Sequence, residues 1–287
     1  MAKFKRIVST ALALTAVVAS VGTLSACETA HPEVQITVSF NGEEYTLDYT
    51  LYRKLAPATV EHFLTLAENG YYDGLCVHDY DDSRMYTGGY SYQDGAANGG
   101  LIYKNYYDIA PSFIPQTVWQ DQDKTLPTYT LYGEFSANKF NVENNGRLKE
   151  QFGSLTMYYT EKEDNEDSVY VQRSDGNGVS SRDYAYNCAT SLFYISLTET
   201  AKTNNQYCTF ALLNEDSQDE LNDLQDAIAE YIAENYGEDE DAADDFVREV
   251  TLDADEDDKF VGSAGTEVSY DVPNEPIVIS KVEVKKY

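Results

Sequence analysis

The sequence predicts a mainly β fold, a closed antiparallel barrel with helices laid across its ends. Three observations lead there. Two alternating runs near the start meet at Asn41-Gly42, an amphipathic helical stretch follows them directly, and alternating strand-like runs then recur until the chain closes on PIVISKVEV, residues 276–284. Alternation of apolar and polar residues buries one face of a strand, which suits a barrel wall.

The chain opens with Lys3, Lys5 and Arg6, then runs without a charge from Ile7 to Ala26. A basic start, an apolar stretch and small residues at its end predict an export signal over 1–26, outside the fold. Leu24-Ser25-Ala26-Cys27 resembles the lipobox of bacterial lipoproteins, which implies lipid on Cys27, a tether over 27–33 and a place at the extracytoplasmic face of the cell membrane. The alternative is an uncleaved membrane helix, since twenty apolar residues suffice to span a bilayer.

Residues 34–287 then form the domain. VQITVSFNGEEYTLDYTLY reads as a hairpin, because Asn-Gly between alternating β-formers favours the tight turn. In APATVEHFLTLAENGYYDG, Pro57 sits near a helix start, Val60, Phe63, Leu64 and Ala67 share a face, and Gly70 follows the end, so a helix of about three turns is expected. Residues 91–126 lose periodicity and read as an inserted loop region with a short helix; 161–182 read as a mobile, polar excursion. TYTLYGEF, FGSLTMYYT, SLFYISL and QYCTFALL read as strands. An acidic helical expansion covers about 214–258, where Leu221, Leu224, Ala227, Ile228, Tyr231 and Ile232 share one helical face.

Charge narrows the partners. The net charge is −30, and loss of the first 26 residues removes three cations and no anion, deepening it to −33. Such a surface repels nucleic acid and anionic lipid. Beyond Cys27 only Cys76, Cys188 and Cys208 remain, without the spacing of a metal site; a Cys188–Cys208 bridge requires neighbouring strands. Asp253–Asp258, DADEDD, imitates the start of a calcium loop, but Asp258 stands where the turn needs Gly and Ala264 where it needs Glu, so a solvated acidic run is expected. No metal or cofactor is predicted.

The wording of several segments is more specific than their periodicity. APATVEHFLTLAENGYYDGLCVH, MYTGG, GEFSANKFN, GSLTM, NCATSLFYISL and the closing PIVISKVEV occur in the order found in cyclophilin-type peptidyl-prolyl isomerases, which the chain resembles over roughly 34–287. The resemblance implies an eight-stranded closed barrel capped by two helices and a groove that rotates Xaa-Pro bonds. That rotation has a barrier of about 18–20 kcal/mol because amide conjugation must break. A guanidinium aimed at the prolyl nitrogen stabilises the twisted amide more than the planar one.

In the family that guanidinium belongs to a Phe-His-Arg triplet, here Val77, His78 and Asp79. An ionised Asp79 accepts hydrogen bonds and cannot donate them. Further along, Arg84 replaces a Phe, Met85 is kept, Thr87 replaces a Gln, Leu192 replaces a Gln, Tyr194 keeps an aromatic, Tyr158 and Tyr159 stand where small residues line the groove, and Tyr207 matches a late His or Tyr. The expected groove is therefore Met85, Thr87, Tyr158, Leu192, Tyr194 and Tyr207. Arg84 would either swing into it as a substitute cation or pair with Asp79, Asp81 or Asp82. Two functions follow: an isomerase for exported proteins with weak or lost turnover, or a non-catalytic module of the cell envelope that binds proline-containing peptides or proteins. A solute-binding protein has the right anchor but would need a two-lobed pattern that is missing.

Overall fold

The computed structural model describes residues 29–138, 148–158, 168–173, 175–183, 189–202, 205–237, 242–253 and 267–287. The export signal, Cys27, Tyr159, Cys188 and all but the first residue of DADEDD lie outside them. Among the described residues no helix is long and apolar enough to cross a membrane.

The chain runs β1 (Glu33–Phe40), β2 (Glu43–Leu51), α1 (Pro57–Glu68), β3 (Leu75–Cys76), β4 (Asp79–Asp81), β5 (Arg84–Thr87), β6 (Tyr90–Tyr92), β7 (Leu101–Tyr103), α2 (Tyr106–Ile109) and β8 (Val118–Trp119). It continues with β9 (Leu155–Met157), β10 (Ser168–Gln172), β11 (Val179–Asp183), β12 (Phe193–Ser196), β13 (Cys208–Leu213), α3 (Gln218–Asn235), α4 (Ala242–Phe246), β14 (Val247–Asp253), β15 (Glu267–Pro273) and β16 (Val278–Lys286).

Eleven of these strands form one sheet in the order β4-β5-β12-β9-β13-β2-β1-β16-β3-β6-β7. The pairing is open at both ends, where the sequence led us to expect eight strands closed on themselves. Two features cause the difference. The stretch from Leu75 to Asp81 is split into β3, which pairs with β16, and β4, which pairs with β5; and the hairpin β6–β7 carries the sheet past β3.

The expected hairpin forms as written. Phe40 faces Glu43, leaving Asn41 and Gly42 as the two-residue turn, both with positive φ of 46° and 86°, as the tight hairpin turn requires. Helix α1 starts with Pro57 in its first turn and buries Val60, Phe63, Leu64 and Ala67. Phe63 stacks on Tyr72 and meets Phe193 and Phe210 edge-on or tilted at 5.1–5.4 Å, so the helix plugs the sheet's inner face. In α3, Leu221, Leu224 and Ile228 are buried, with Ala227, Tyr231 and Ile232 packed beside them. Ser217 Oγ and Glu220 accept from the backbone N–H groups of Asp48 and Thr46 and moor that helix to β2.

The segment GEFSANKFN has a structural task. Helix α1 has Ala56 at its N-cap and no side-chain cap of its own. Glu134, 7% exposed, supplies the cap from a distance: its two carboxylate oxygens accept from Ala58 N at 3.0 Å and Thr59 N at 2.8 Å. The positive end of the helix favours that anion, although burial pushes its carboxyl pKa up. Similarly, Gly88 is fixed by close approach. Its φ is +101°, and a Cβ there would sit 2.3 Å from Ser191 O.

Four expectations fail here. TYTLYGEF makes one isolated bridge, Leu131 with Ala189, instead of a strand, because its chain turns to deliver Glu134. Residues 91–126 contain β6, β7 and β8 besides the short helix α2. The excursion 161–182 is, in its described part, a hairpin: β10 and β11 pair across Gly176 and Gly178, both with positive φ, and β10 pairs with β8. Five alternating residues, SVYVQ, suffice for a strand once a partner is present. The acidic expansion is helical only to Phe246; β14 then pairs with β15 from Val247–Pro273 to Asp253–Glu267.

Removing the borrowed cap should be costly. Glu134→Ala is expected to lower unfolding free energy by about 1–3 kcal/mol through two unsatisfied N–H groups, and Glu134→Gln by less. Urea denaturation reads both; an unchanged midpoint for the alanine variant would contradict this role.

Candidate active site

Register across three short strands decides what the site contains. Asp79 pairs with Tyr86, and Tyr86 with Tyr194. Side chains directly opposite one another share a face, so Asp79, Tyr86 and Tyr194 project together, with Arg84 two residues along from Tyr86. Met85 and Thr87 alternate to the other face. Met85 is fully buried in the core, and Thr87, equally buried, donates its hydroxyl to Cys76 O at 2.8 Å. Both were expected to line the groove, and neither does; Tyr86, which lies between them in β5, takes that position.

Four tyrosines close into a ring of contacts on this face. Tyr86 meets Tyr158 edge-on at 5.8 Å, Tyr158 stacks on Tyr207 at 6.0 Å, Tyr207 meets Tyr194 at 6.3 Å, and Tyr194 returns to Tyr86 at 5.2 Å. The expected residues Tyr158, Tyr194 and Tyr207 are thus brought together. Leu192 lies beside them, lining a cavity of about 90 Å³ with His78, Asp79, Tyr86, Tyr158, Phe193 and Tyr270.

Arg84 pairs with none of the three aspartates expected for it. Its Nε and one terminal nitrogen donate to Glu150 Oε1 at 3.1 and 3.0 Å, and the other terminal nitrogen donates to the Tyr86 hydroxyl at 3.1 Å. The guanidinium lies 4.6 Å from the centre of the Tyr194 ring. Glu150 is buried and positioned by a two-way backbone bridge to Lys202. Three directed contacts and a stacked ring commit the cation to this corner. Asp81, the other expected partner on β4, binds Ser83 instead.

Asp79 has a different neighbour. Strand β15 crosses β4, and Asp271 N donates to Asp79 Oδ1 at 2.9 Å. Among the described residues no cation pairs with Asp79. Burial pushes its carboxyl up to about 6; the Asp271 N–H pulls the other way, and the Asp271 and Asp81 carboxylates add to the rise. His78, next to it, is 2% exposed and wedged against Tyr90 and Tyr270 at 5.0 and 4.9 Å. Burial lowers its pKa to about 3, so the ring is neutral. Tyr270 belongs to none of the segments that carry the resemblance; it arrives on β15, which follows the acidic stretch and pairs with β14.

Elsewhere, Cys208 is a buried free thiol that takes a 3.6 Å contact from Thr59 Oγ1. Among the described residues no group of three or more His, Cys, Asp or Glu side chains is placed to hold a metal ion.

The raised Asp79 value has a consequence for stability. The folded state holds the proton more tightly than the unfolded chain, so the contribution is complete below about pH 4 and is lost as pH rises to about 6. Asp79→Asn keeps an oxygen for Asp271 N–H and removes the charge. Its unfolding free energy should exceed that of the natural protein by about 1–2 kcal/mol at pH 7, a figure reduced for partial exposure, and by nothing at pH 4. Thermal melts at the two pH values check it; equal gains at both would refute it.

Comparison with known proteins follows the same lines. Residues 34–248 match the family model described as cyclophilin type peptidyl-prolyl cis-trans isomerase/CLD. A Staphylococcus haemolyticus protein named "Putative peptidyl-prolyl cis-trans isomerase" is 29% identical over 112 residues, covering 39% of this chain and 50% of the relative. A Staphylococcus aureus protein of the same name is 29% identical over 114 residues, 40% and 50% of the two chains. The chain therefore spans about half the length of the curated relatives it matches. Among solved structures, a Cryptosporidium parvum cyclophilin type peptidyl-prolyl cis-trans isomerase aligns with TM-score 0.42 and 14% identity over 90% of this chain and 99% of that one. The same protein in the presence of the dipeptide Ala-Pro aligns with TM-score 0.41 and 15% identity, over 89% and 99%. The family match spans most of the chain, which belongs to the cyclophilin-type peptidyl-prolyl isomerase family.

Proposed function

We propose that this cyclophilin-type protein binds proline-containing segments of exported proteins and turns them over weakly or not at all. The observation that carries the reading is Asp79: it lines the cavity, the resemblance of Val77-His78-Asp79 to the family's triplet implies that it stands for the arginine, and the nearby Arg84 is already engaged by Glu150, Tyr86 and Tyr194. A twisted amide needs a donor toward its nitrogen, and loss of one preorganised donor costs ~10²–10³ in rate, about 3–4 kcal/mol. The tyrosine ring supports binding without turnover, since each ring offers apolar area and a hydroxyl at small entropic cost.

The groove reading is served by a closed barrel. Val77 N donates to Ile277 O at 2.8 Å and His78 N to Tyr86 O at 3.0 Å, so the stretch from Leu75 to Asp81, through β3 and β4, bonds to both flanks of the sheet. Those two bonds support closure into eight strands through that stretch. Export and a lipid on Cys27 complete the reading, and would hold the groove outside the cell membrane; a Cys27→Ala variant would then leave the membrane fraction.

A protease-coupled isomerisation assay on a short Ala-Pro peptide tests the reading. The natural protein should give less than about a hundredth of the rate of an arginine-bearing family member. Arg84→Ala should change nothing, and Asp79→Arg should raise the rate. Fast turnover that disappears in Arg84→Ala would instead make Arg84 the working cation.

A further inference from the structure

We propose that the cavity beside Asp79 is a binding site for a cationic side chain, the ammonium of a lysine or the guanidinium of an arginine carried by a peptide lying in the groove. This rests on the peptide-groove reading above and names the chemistry that such a groove selects.

The lining supplies each element of a cation receptor. Asp79 contributes a half-buried carboxylate with no cation partner among the described residues. Tyr86, Tyr158 and Tyr270 contribute aromatic rings around the same space. A cation over such rings gains about 0.5–2 kcal/mol, more as water is excluded, and an opposite charge offsets the cost of holding a carboxylate partly out of water. The volume, about 90 Å³, is several times what one water requires; it admits an ammonium and the carbons next to it.

A separate observation points to the same place. His78 also lines the cavity, and its Nδ1 is buried without a hydrogen-bond partner. A neutral imidazole has one nitrogen lone pair that can accept an N–H, and both cationic side chains bring several N–H donors. A buried polar atom left unsatisfied costs about 1–3 kcal/mol, and a cation's N–H that reaches Nδ1 would remove that cost. An anion or a carbonyl oxygen would face Asp79 and be repelled. The chain's net charge of −30 adds a long-range attraction for cations, though that attraction alone selects no site.

The experiment uses the folded chain and three blocked tetrapeptides, Ala-Lys-Pro-Ala, the same peptide with norleucine for lysine, and Ala-Lys-Ala-Ala, titrated by calorimetry at low ionic strength and neutral pH. The lysine–proline peptide is expected to bind about tenfold more tightly than its norleucine counterpart. Asp79→Asn should abolish that preference and Tyr158→Leu should weaken it, with thermal melts confirming that both variants are folded. Equal binding of the lysine and norleucine peptides overturns the proposal, and so does no binding of any peptide. A lysine preference that survives in Asp79→Asn also overturns it, since the attraction then belongs to the overall charge. If Ala-Lys-Ala-Ala binds as tightly as the proline peptide and loses its affinity in Asp79→Asn, the cation site stands and the proline reading falls.

Discussion

Strand alternation across β4, β5 and β12 is the constraint on which the site depends. Asp79, Tyr86 and Tyr194 are in register, and a slip of one residue in β5 would exchange Tyr86 for Met85 and send Asp79's neighbours into the core. The register is held from below. Thr87 is tied to Cys76 O, Met85 is packed in the core, and Ser191 Oγ donates to Gly88 O at 2.6 Å immediately beyond the strand. Groove chemistry and core packing are therefore two faces of the same few residues.

On that face two charges have been arranged to ignore each other. Arg84 is neutralised by buried Glu150 and laid against Tyr194, whereas Asp79 is bonded to the backbone of β15. The tyrosines between them act as spacer and binding surface at once. The β14–β15 hairpin adds the Tyr270 ring and the Asp271 N–H, so a pair of strands outside the eleven-stranded sheet completes the cavity.

Much of this was legible in the letters. Asn41-Gly42, Pro57 with its apolar face, the α3 stripe from Leu221 to Ile232 and the closing strand follow from periods of 2 and 3.6 with turn residues at their ends, and these patterns are local. Asp79 stood out in the letters because an acidic residue inside a triplet that resembles Phe-His-Arg needs no geometry to be noticed. What failed needed three dimensions. Motif spacing could not say that Met85 and Thr87 face inward, since strand direction depends on the partner's register. The partner of Arg84 is 66 residues away. The strands β14 and β15 were hidden because acidic residues on a hairpin's solvent side dilute the alternation that would reveal it.

The most direct test of the account is the ionisation of Asp79 itself, followed by its carboxyl-carbon NMR shift from pH 3 to 8. A carboxylate partly withdrawn from water, facing Asp271 and Asp81 and bonded to one backbone N–H, should titrate near the value of about 6 given by its surroundings. A midpoint at or below the ordinary carboxylate value of about 4 would mean that Asp79 is solvated or paired with a cation, and the charge-reversed groove would have to be abandoned.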